Sequence, residues 1–260
     1  LTIGYDLATA MEVSGDGLTW TVDIREGVKF TDGEPLTAQD VAFTYNTVKN
    51  TSSVNDFTML DRAEAVNDYT VVFHMARPFS IWPYTMAVVG ILPEHAYDPA
   101  NYGSNPIGSG RYMLKRWDRG QQAILESNPD YYGPQPRIEQ VSILFMEEDA
   151  AFLAVQAGQA DLAYTSAPYA GQAVDGFSLL SVRTVDNRGV NLPVTMSSPI
   201  MELPVRQAIN MGIDRQRMID HVLNGHGTPA YSVCDGMPWY SPVNEVEYDL
   251  EGAKALLDEW

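Results

Sequence analysis

Three kinds of residue in this chain could carry chemistry by themselves: a serine between glycines, four histidines, and a run of carboxylates. Gly108-Ser109-Gly110 is the nearest approach to the Gly-x-Ser-x-Gly elbow that exposes a nucleophilic serine at a strand end, but it follows Asn105-Pro106-Ile107 rather than a buried strand and reads as a turn. Gly225-His226-Gly227 lacks the lysine and the third glycine of a phosphate loop and reads as a helix C-terminus with a turn. His74, His95, His221 and His226 form no His-x-His or His-Glu-x-x-His pair, and Gly225 interrupts any helix face shared by the last two. Glu147-Glu148-Asp149 falls where acidic side chains favour the start of a helix. Cys234 is the single cysteine, so an internal disulfide and a Cys-x-x-Cys motif are both excluded, and it reads as a small buried hydrophobe. No nucleophile, acid–base pair or metal set emerges, and the expectation is a protein that is not an enzyme and carries no cofactor or metal.

Aromatic residues are the other unusual feature. Trp82, Tyr84, Tyr97, Tyr102, Tyr131, Tyr132, Trp239 and Tyr240 all fall in segments that read as loops. Such residues can form a wall against a ligand. They can equally be staples buried beneath long loops, and the sequence leaves both readings open.

The elements that would position these residues are mixed. Leu18–Ile24 alternates apolar and polar residues as a half-buried strand does. Asp32-Gly33 supplies a turn, and Thr37 with Asp40 three residues on predicts a capped helix carrying Val41, Tyr45 and Val48 on one face. Tyr69–Met75 reads as the next strand, 80–98 as a short helix and a loop, 111–117 and 121–126 as a hairpin, and 138–145 as a further strand. Helices are predicted over 150–157, from Pro204, from Asp214 (burying Met218, Ile219, Val222 and Leu223) and from Asp249, with a short strand at 161–164. The expected fold class is α/β.

Composition bounds the rest. A formal net charge of −18 repels nucleic acid and anionic lipid, so neither is an expected partner. With 45% apolar residues the chain can build a packed core, and its 260 residues suit one large domain or two lobes. No run reaches the ~20 apolar residues of a membrane span. The chain starts abruptly at Leu1 and stops within a predicted helix at Trp260, so a piece of a longer protein is expected.

Seven ordered blocks then carry a resemblance. Trp20-Thr-Val-Asp-Ile-Arg-Glu-Gly-Val-Lys-Phe-Thr-Asp-Gly-Glu-Pro-Leu-Thr-Ala-Gln-Asp-Val41 comes first, followed by Asn105-Pro-Ile-Gly-Ser-Gly-Arg-Tyr112, Asn128-Pro-Asp-Tyr-Tyr-Gly133 and Ala157-Gly-Gln-Ala-Asp-Leu162. Val205-Arg-Gln-Ala-Ile-Asn210 with Ile213-Asp-Arg215, Gly225–Ala230 and Tyr248-Asp-Leu-Glu-Gly-Ala-Lys-Ala-Leu-Leu257 complete the set. Together they resemble the family 5 extracellular solute-binding proteins of ABC importers, the peptide/nickel/opine group.

The resemblance implies a periplasmic-binding-protein-like fold of type II, cluster C: two lobes on a hinge that close on ligand, incomplete here. By it, residues 1–37 and 106–185 belong to the first lobe and 38–105 to its inserted subdomain. Residues 186–192 resemble the strand crossing between lobes, and 193–260 the start of the second. It further implies an extracytoplasmic protein, periplasmic or tethered at the cell surface as a lipoprotein by a segment absent here, with a small-molecule ligand and ABC permease subunits as partners. Trp82, Met86 and Val89 are the lining residues expected in the subdomain loop, Tyr164, Thr165 and Ser166 those at a strand end, and Arg188 and Asn191 those on the crossing strand. Arg188 could pair with a ligand carboxylate. Nickel-chelate members resemble the same fold but hold chelator carboxylates with arginines, whereas Thr85–Leu92 and Ala123–Ser127 here offer apolar or acidic residues. A short peptide is the favoured ligand and a nickel chelate the alternative.

Overall fold

A computed structural model describes residues 3–52, 55–166, 169, 171–182, 184, 186–192, 195, 198–237 and 239–260. The chain forms two compact units, Leu1–Phe145 and Met146–Trp260.

The first unit is built on a four-stranded antiparallel sheet in the order β1-β2-β4-β3, from β1 (Ala8–Val13), β2 (Thr19–Ile24), β3 (Leu60–Asn67) and β4 (Thr70–Met75). The predicted alternation in β2 is real: Trp20, Val22 and Ile24 are buried while Asp23 faces out. Register pairs Trp20 with Phe73 and Val22 with Val71, so the two central strands stack their apolar residues on one face. Because β4 pairs with β2, residues on both sides of position 37 share one sheet.

Helix α1 (Ala38–Thr51) covers that face. Its capping box is complete: the Thr37 side chain accepts the Gln39 amide at 3.3 Å, and the Asp40 carboxylate accepts the Thr37 amide at 2.9 Å. The Ala38 amide, which no helical turn can satisfy, donates to the carbonyl of Asp68 in the β3–β4 turn at 2.8 Å. Farther along, Asn46 grips the outer edge of β3, donating to the Ala63 carbonyl at 2.8 Å and accepting the Ala63 amide at 2.9 Å. One side-chain amide thus stands in for the strand that an edge would otherwise lack.

Between sheet and helix lies an aromatic cluster. Trp82 is wholly buried, with its ring 5.3 Å from Phe73, 5.7 Å from Tyr45 and 6.4 Å from Phe57. The pairs with Phe73 and Phe57 are edge-to-face and that with Tyr45 is tilted, and aromatic pairs of this kind add about 0.5–1.5 kcal/mol each beyond the area they bury.

A second antiparallel sheet, β5 (Tyr112–Asp118), β6 (Gln122–Ser127) and β7 (Gln140–Leu144), contains the predicted hairpin and closes the first unit. Thr31 and Gly108 pin the chain where it returns toward this sheet: the Thr31 amide donates to the Gly108 carbonyl at 2.8 Å.

The second unit contains α3 (Glu148–Gln156), α4 (Leu203–Gly212), α5 (Arg215–Val222) and α6 (Leu250–Glu259). Pro204 opens α4 as expected, and Asp214 caps α5 by accepting the Arg217 amide at 2.9 Å. Helix α5 ends through Asn224 and Gly225, both with positive φ, and the Gly225 amide returns to the Ile219 carbonyl at 3.0 Å. Its expected apolar face is only partly covered: Ile219 is buried and Leu223 half-buried, while Met218 and Val222 are exposed. Helices α4 and α6 pack through Ala253, which is buried beside Gly212. Residues 161–164, expected as a strand, form none, and neither do 186–192. Among the described residues no helix is long and apolar enough to cross a membrane.

Candidate functional site

The loop after β4 is unusual in carrying no charged residue from Phe79 to Leu92. It opens with helix α2 (Trp82–Met86), in which Pro83 fixes φ in the first turn. Trp82, Met86 and Val89 lie at helical spacing i, i+4 and i+7, the signature of an inward stripe. The structure places them accordingly. Trp82 has no exposed surface, and Met86 and Val89 are half-buried against the aromatic cluster. Trp82 therefore supports the loop from beneath, and no part of its side chain is presented for contact.

The opposite side of the same turn carries Ile81, Tyr84 and Val88 at i, i+3 and i+7, and these are 47%, 38% and 64% exposed. They are the large apolar side chains of the loop that stand most open to contact. Of these, Tyr84 is among the loop aromatics that the sequence offered as a possible wall, whereas Ile81 and Val88 were not singled out, although the spacing that aligns Trp82, Met86 and Val89 also defines this outward complement.

Four polar contacts fix this loop. The Tyr45 hydroxyl donates to the Met86 carbonyl at 3.1 Å, and burial pushes that phenol's pKa up. The Leu92 amide donates to Thr44 Oγ1 at 2.8 Å, and the Glu94 amide to Asp40 Oδ1 at 3.0 Å. His95 Nε2 lies 2.8 Å from Asp32 Oδ2, with the Phe30 ring edge-on to the imidazole. Partial burial works to raise the Asp32 carboxyl. The hydrogen bonds from His95 and the Glu34 amide, with the charge of His95, outweigh it and hold the group below its ordinary value.

Other loop aromatics act as staples. Tyr97 packs against Tyr102 and Phe43 at 5.5 Å each. Tyr131 and Tyr132 stack at 4.7 Å, flanked by the guanidinium groups of Arg111 and Arg25. Trp239 stays largely exposed. A surface groove of about 450 Å³ between α1 and β3, lined by Gln39, Phe43, Asn46, Glu64 and Glu94 among others, includes none of the expected lining residues.

In the second unit Tyr164 is almost fully exposed and Thr165 and Ser166 are half-buried. The acidic run at the start of α3 organises this segment: Glu148 accepts the Ser166 amide, Asp149 accepts the Tyr169 hydroxyl, and the Tyr169 ring lies 4.7 Å from Phe152. Arg188 and Asn191 are both exposed, and the neighbouring Asn187 side chain donates to the Val233 carbonyl at 3.1 Å. Among the described residues, no three His, Cys, Asp or Glu side chains gather as a metal site would require.

Residues 2–260 match the family described as bacterial extracellular solute-binding proteins, family 5 Middle. Protein XP55 of Streptomyces lividans is 34% identical over 270 residues, which cover 97% of this chain and 49% of that protein. The oligopeptide-binding protein AppA of Bacillus subtilis is 29% identical over 283 residues, and its structure in complex with a nonapeptide superposes with a TM-score of 0.71 over 98% of this chain and 54% of that one. NikZ from Campylobacter jejuni in complex with Ni(L-His) superposes with a TM-score of 0.84 at 23% identity, covering 98% of this chain and 54% of that one, a likeness of fold. The chain spans about half the length of the curated relatives it matches.

Proposed function

The chain belongs to family 5 of the bacterial extracellular solute-binding proteins, which are extracytoplasmic, and from that membership we propose that the whole protein captures short, apolar peptides for an ABC importer. It delivers them to the permease subunits by binding alone, without catalysis, from the periplasm or from a lipoprotein anchor at the cell surface. On this reading residues 193–260 begin the second lobe and 186–192 cross to it.

The observation that carries the ligand class is the charge-free surface of the 79–92 loop, with Ile81, Tyr84 and Val88 outward and the edges of Met86 and Val89 between them and the core. An apolar surface gains by covering apolar side chains, at about 25 cal/mol per Å² removed from water, and offers nothing to a chelator's carboxylates. Taken by itself, the second unit carries hydrogen-bonding groups at Tyr164, Thr165 and Ser166 and an exposed cation, Arg188, of the kind that pairs with a carboxylate. The similarity to an oligopeptide-binding protein agrees with this reading.

Native mass spectrometry of the full-length protein, purified from rich medium, tests it. Mass increments matching short peptides rich in apolar residues are expected. A nickel-containing adduct in their place overturns the peptide reading.

A further inference from the structure

The inner face of α1 has a second job besides covering the sheet. Asp40, Thr44 and Tyr45 are all buried, and each directs a side-chain hydrogen bond to the loop, the remaining bonds of Asp40 and Thr44 staying within α1 and its cap. Asp40 Oδ1 holds the Glu94 amide, Thr44 Oγ1 holds the Leu92 amide, and the Tyr45 hydroxyl holds the Met86 carbonyl. The Thr44 hydroxyl proton goes to the Asp40 carbonyl one turn back, at 2.7 Å, which leaves its oxygen lone pairs directed at Leu92. Three positions within two turns of one helix thus fasten three successive points of the segment that displays Ile81, Tyr84 and Val88.

We propose that Asp40, Thr44 and Tyr45 are positioning residues for ligand capture: α1 is a splint that holds the 81–94 loop in its binding-competent form before ligand arrives. The inference rests on the peptide-binding reading of that loop. A surface held ready binds more tightly than one that must be ordered on contact, because the ordering entropy is already spent in folding. None of the three side chains needs to touch the ligand.

The experiment uses the full-length protein with Thr44→Val, which keeps the shape and removes the hydroxyl, Thr44→Ser, which restores it, and Tyr45→Phe as an independent cut. Hydrogen–deuterium exchange reads the Leu92 amide, and titration with a synthetic pool of apolar tri- to pentapeptides reads affinity. Thr44→Val should speed exchange at Leu92 and weaken peptide affinity, each roughly tenfold, as expected for losing one buried hydrogen bond. Thr44→Ser should recover both, and Tyr45→Phe should weaken affinity to a similar degree. Unchanged exchange at Leu92 in Thr44→Val overturns the splint, whatever the affinity does. Faster exchange with undiminished affinity overturns the ligand role of the loop, and a wild-type protein that takes up no peptide from the pool overturns the functional reading beneath it.

Discussion

One carboxylate joins the start of α1 to the end of the apolar loop: Asp40 Oδ2 accepts the amide of Thr37, and Oδ1 that of Glu94, 54 residues on, at 3.0 Å. Both oxygens are engaged in a site from which water is nearly excluded. Asp40→Ala removes a cap and a tertiary contact together and should cost about 3 kcal/mol. Asp40→Asn keeps one acceptor oxygen and should cost about half of that. Urea unfolding followed by far-ultraviolet circular dichroism measures both, and equal stability of Asp40→Ala and wild type would contradict the double role.

The two sides of the α2 turn should separate stability from binding. Trp82→Ala empties the centre of the aromatic cluster and should cost about 3–5 kcal/mol. Ile81→Ser and Val88→Ser alter only exposed positions and should change stability by less than about 0.5 kcal/mol. They should nonetheless weaken binding of apolar peptides, as isothermal titration would register. Loss of stability without loss of affinity in these two variants would reverse the assignment of faces.

Much of the first unit was legible in the sequence because its signals are local. The Thr37–Asp40 capping box, the alternation in β2 and the hairpin of β5 and β6 each depend on neighbouring residues, and each stands where it was expected. Strand β3 was not legible. Its sequence, Leu-Asp-Arg-Ala-Glu-Ala-Val-Asn, is poor in β-branched residues, and it is a strand because β4 pairs with one edge and Asn46 grips the other. Of the candidate lining in this loop only Trp82 is wholly buried: it shares with Met86 and Val89 the spacing that turns a helix toward its core, and the latter two keep part of their surface exposed. The partly uncovered face of α5 was likewise out of reach, since periodicity says which residues share a face and not what lies against it.

Acid should loosen the His95–Asp32 contact in a defined direction. The folded state holds the Asp32 carboxyl below its ordinary value. Its stabilisation is therefore fully present above the unfolded carboxylate pKa, near 4, and disappears as pH falls through the lower folded value. In Asp32→Asn the loss of stability between about pH 5 and about pH 2 should be smaller than in wild type. Denaturant titrations across that window measure the slopes, and identical slopes would remove Asp32 from the acid response.

The glycine in Asp249-Leu-Glu-Gly252 answers to the helix cap. The Gly252 amide donates to Asp249 Oδ1 at 2.9 Å, and a Cβ at 252 would collide with that carboxylate and come within 2.9 Å of the Met211 methyl. Gly252→Ala should displace the cap and destabilise the α4–α6 pairing by about 1–2 kcal/mol, despite the higher helix propensity of alanine. A thermal melt that rises on substitution would show that propensity wins.

The four-stranded sheet is complete between Ala8 and Met75, and two of its three pairings join strands adjacent in sequence. Only the β2–β4 pairing spans a long stretch, and α1 lies within that stretch and caps onto the β3–β4 turn through Asp68. Assembly can therefore run in chain order: two hairpins form, the helix between them closes the gap, and the ladder zips with modest loop entropy. The 81–94 loop needs α1 already docked before it has anything to fasten to. In refolding experiments the binding surface should consequently mature last, after the sheet that carries it has gained its protection.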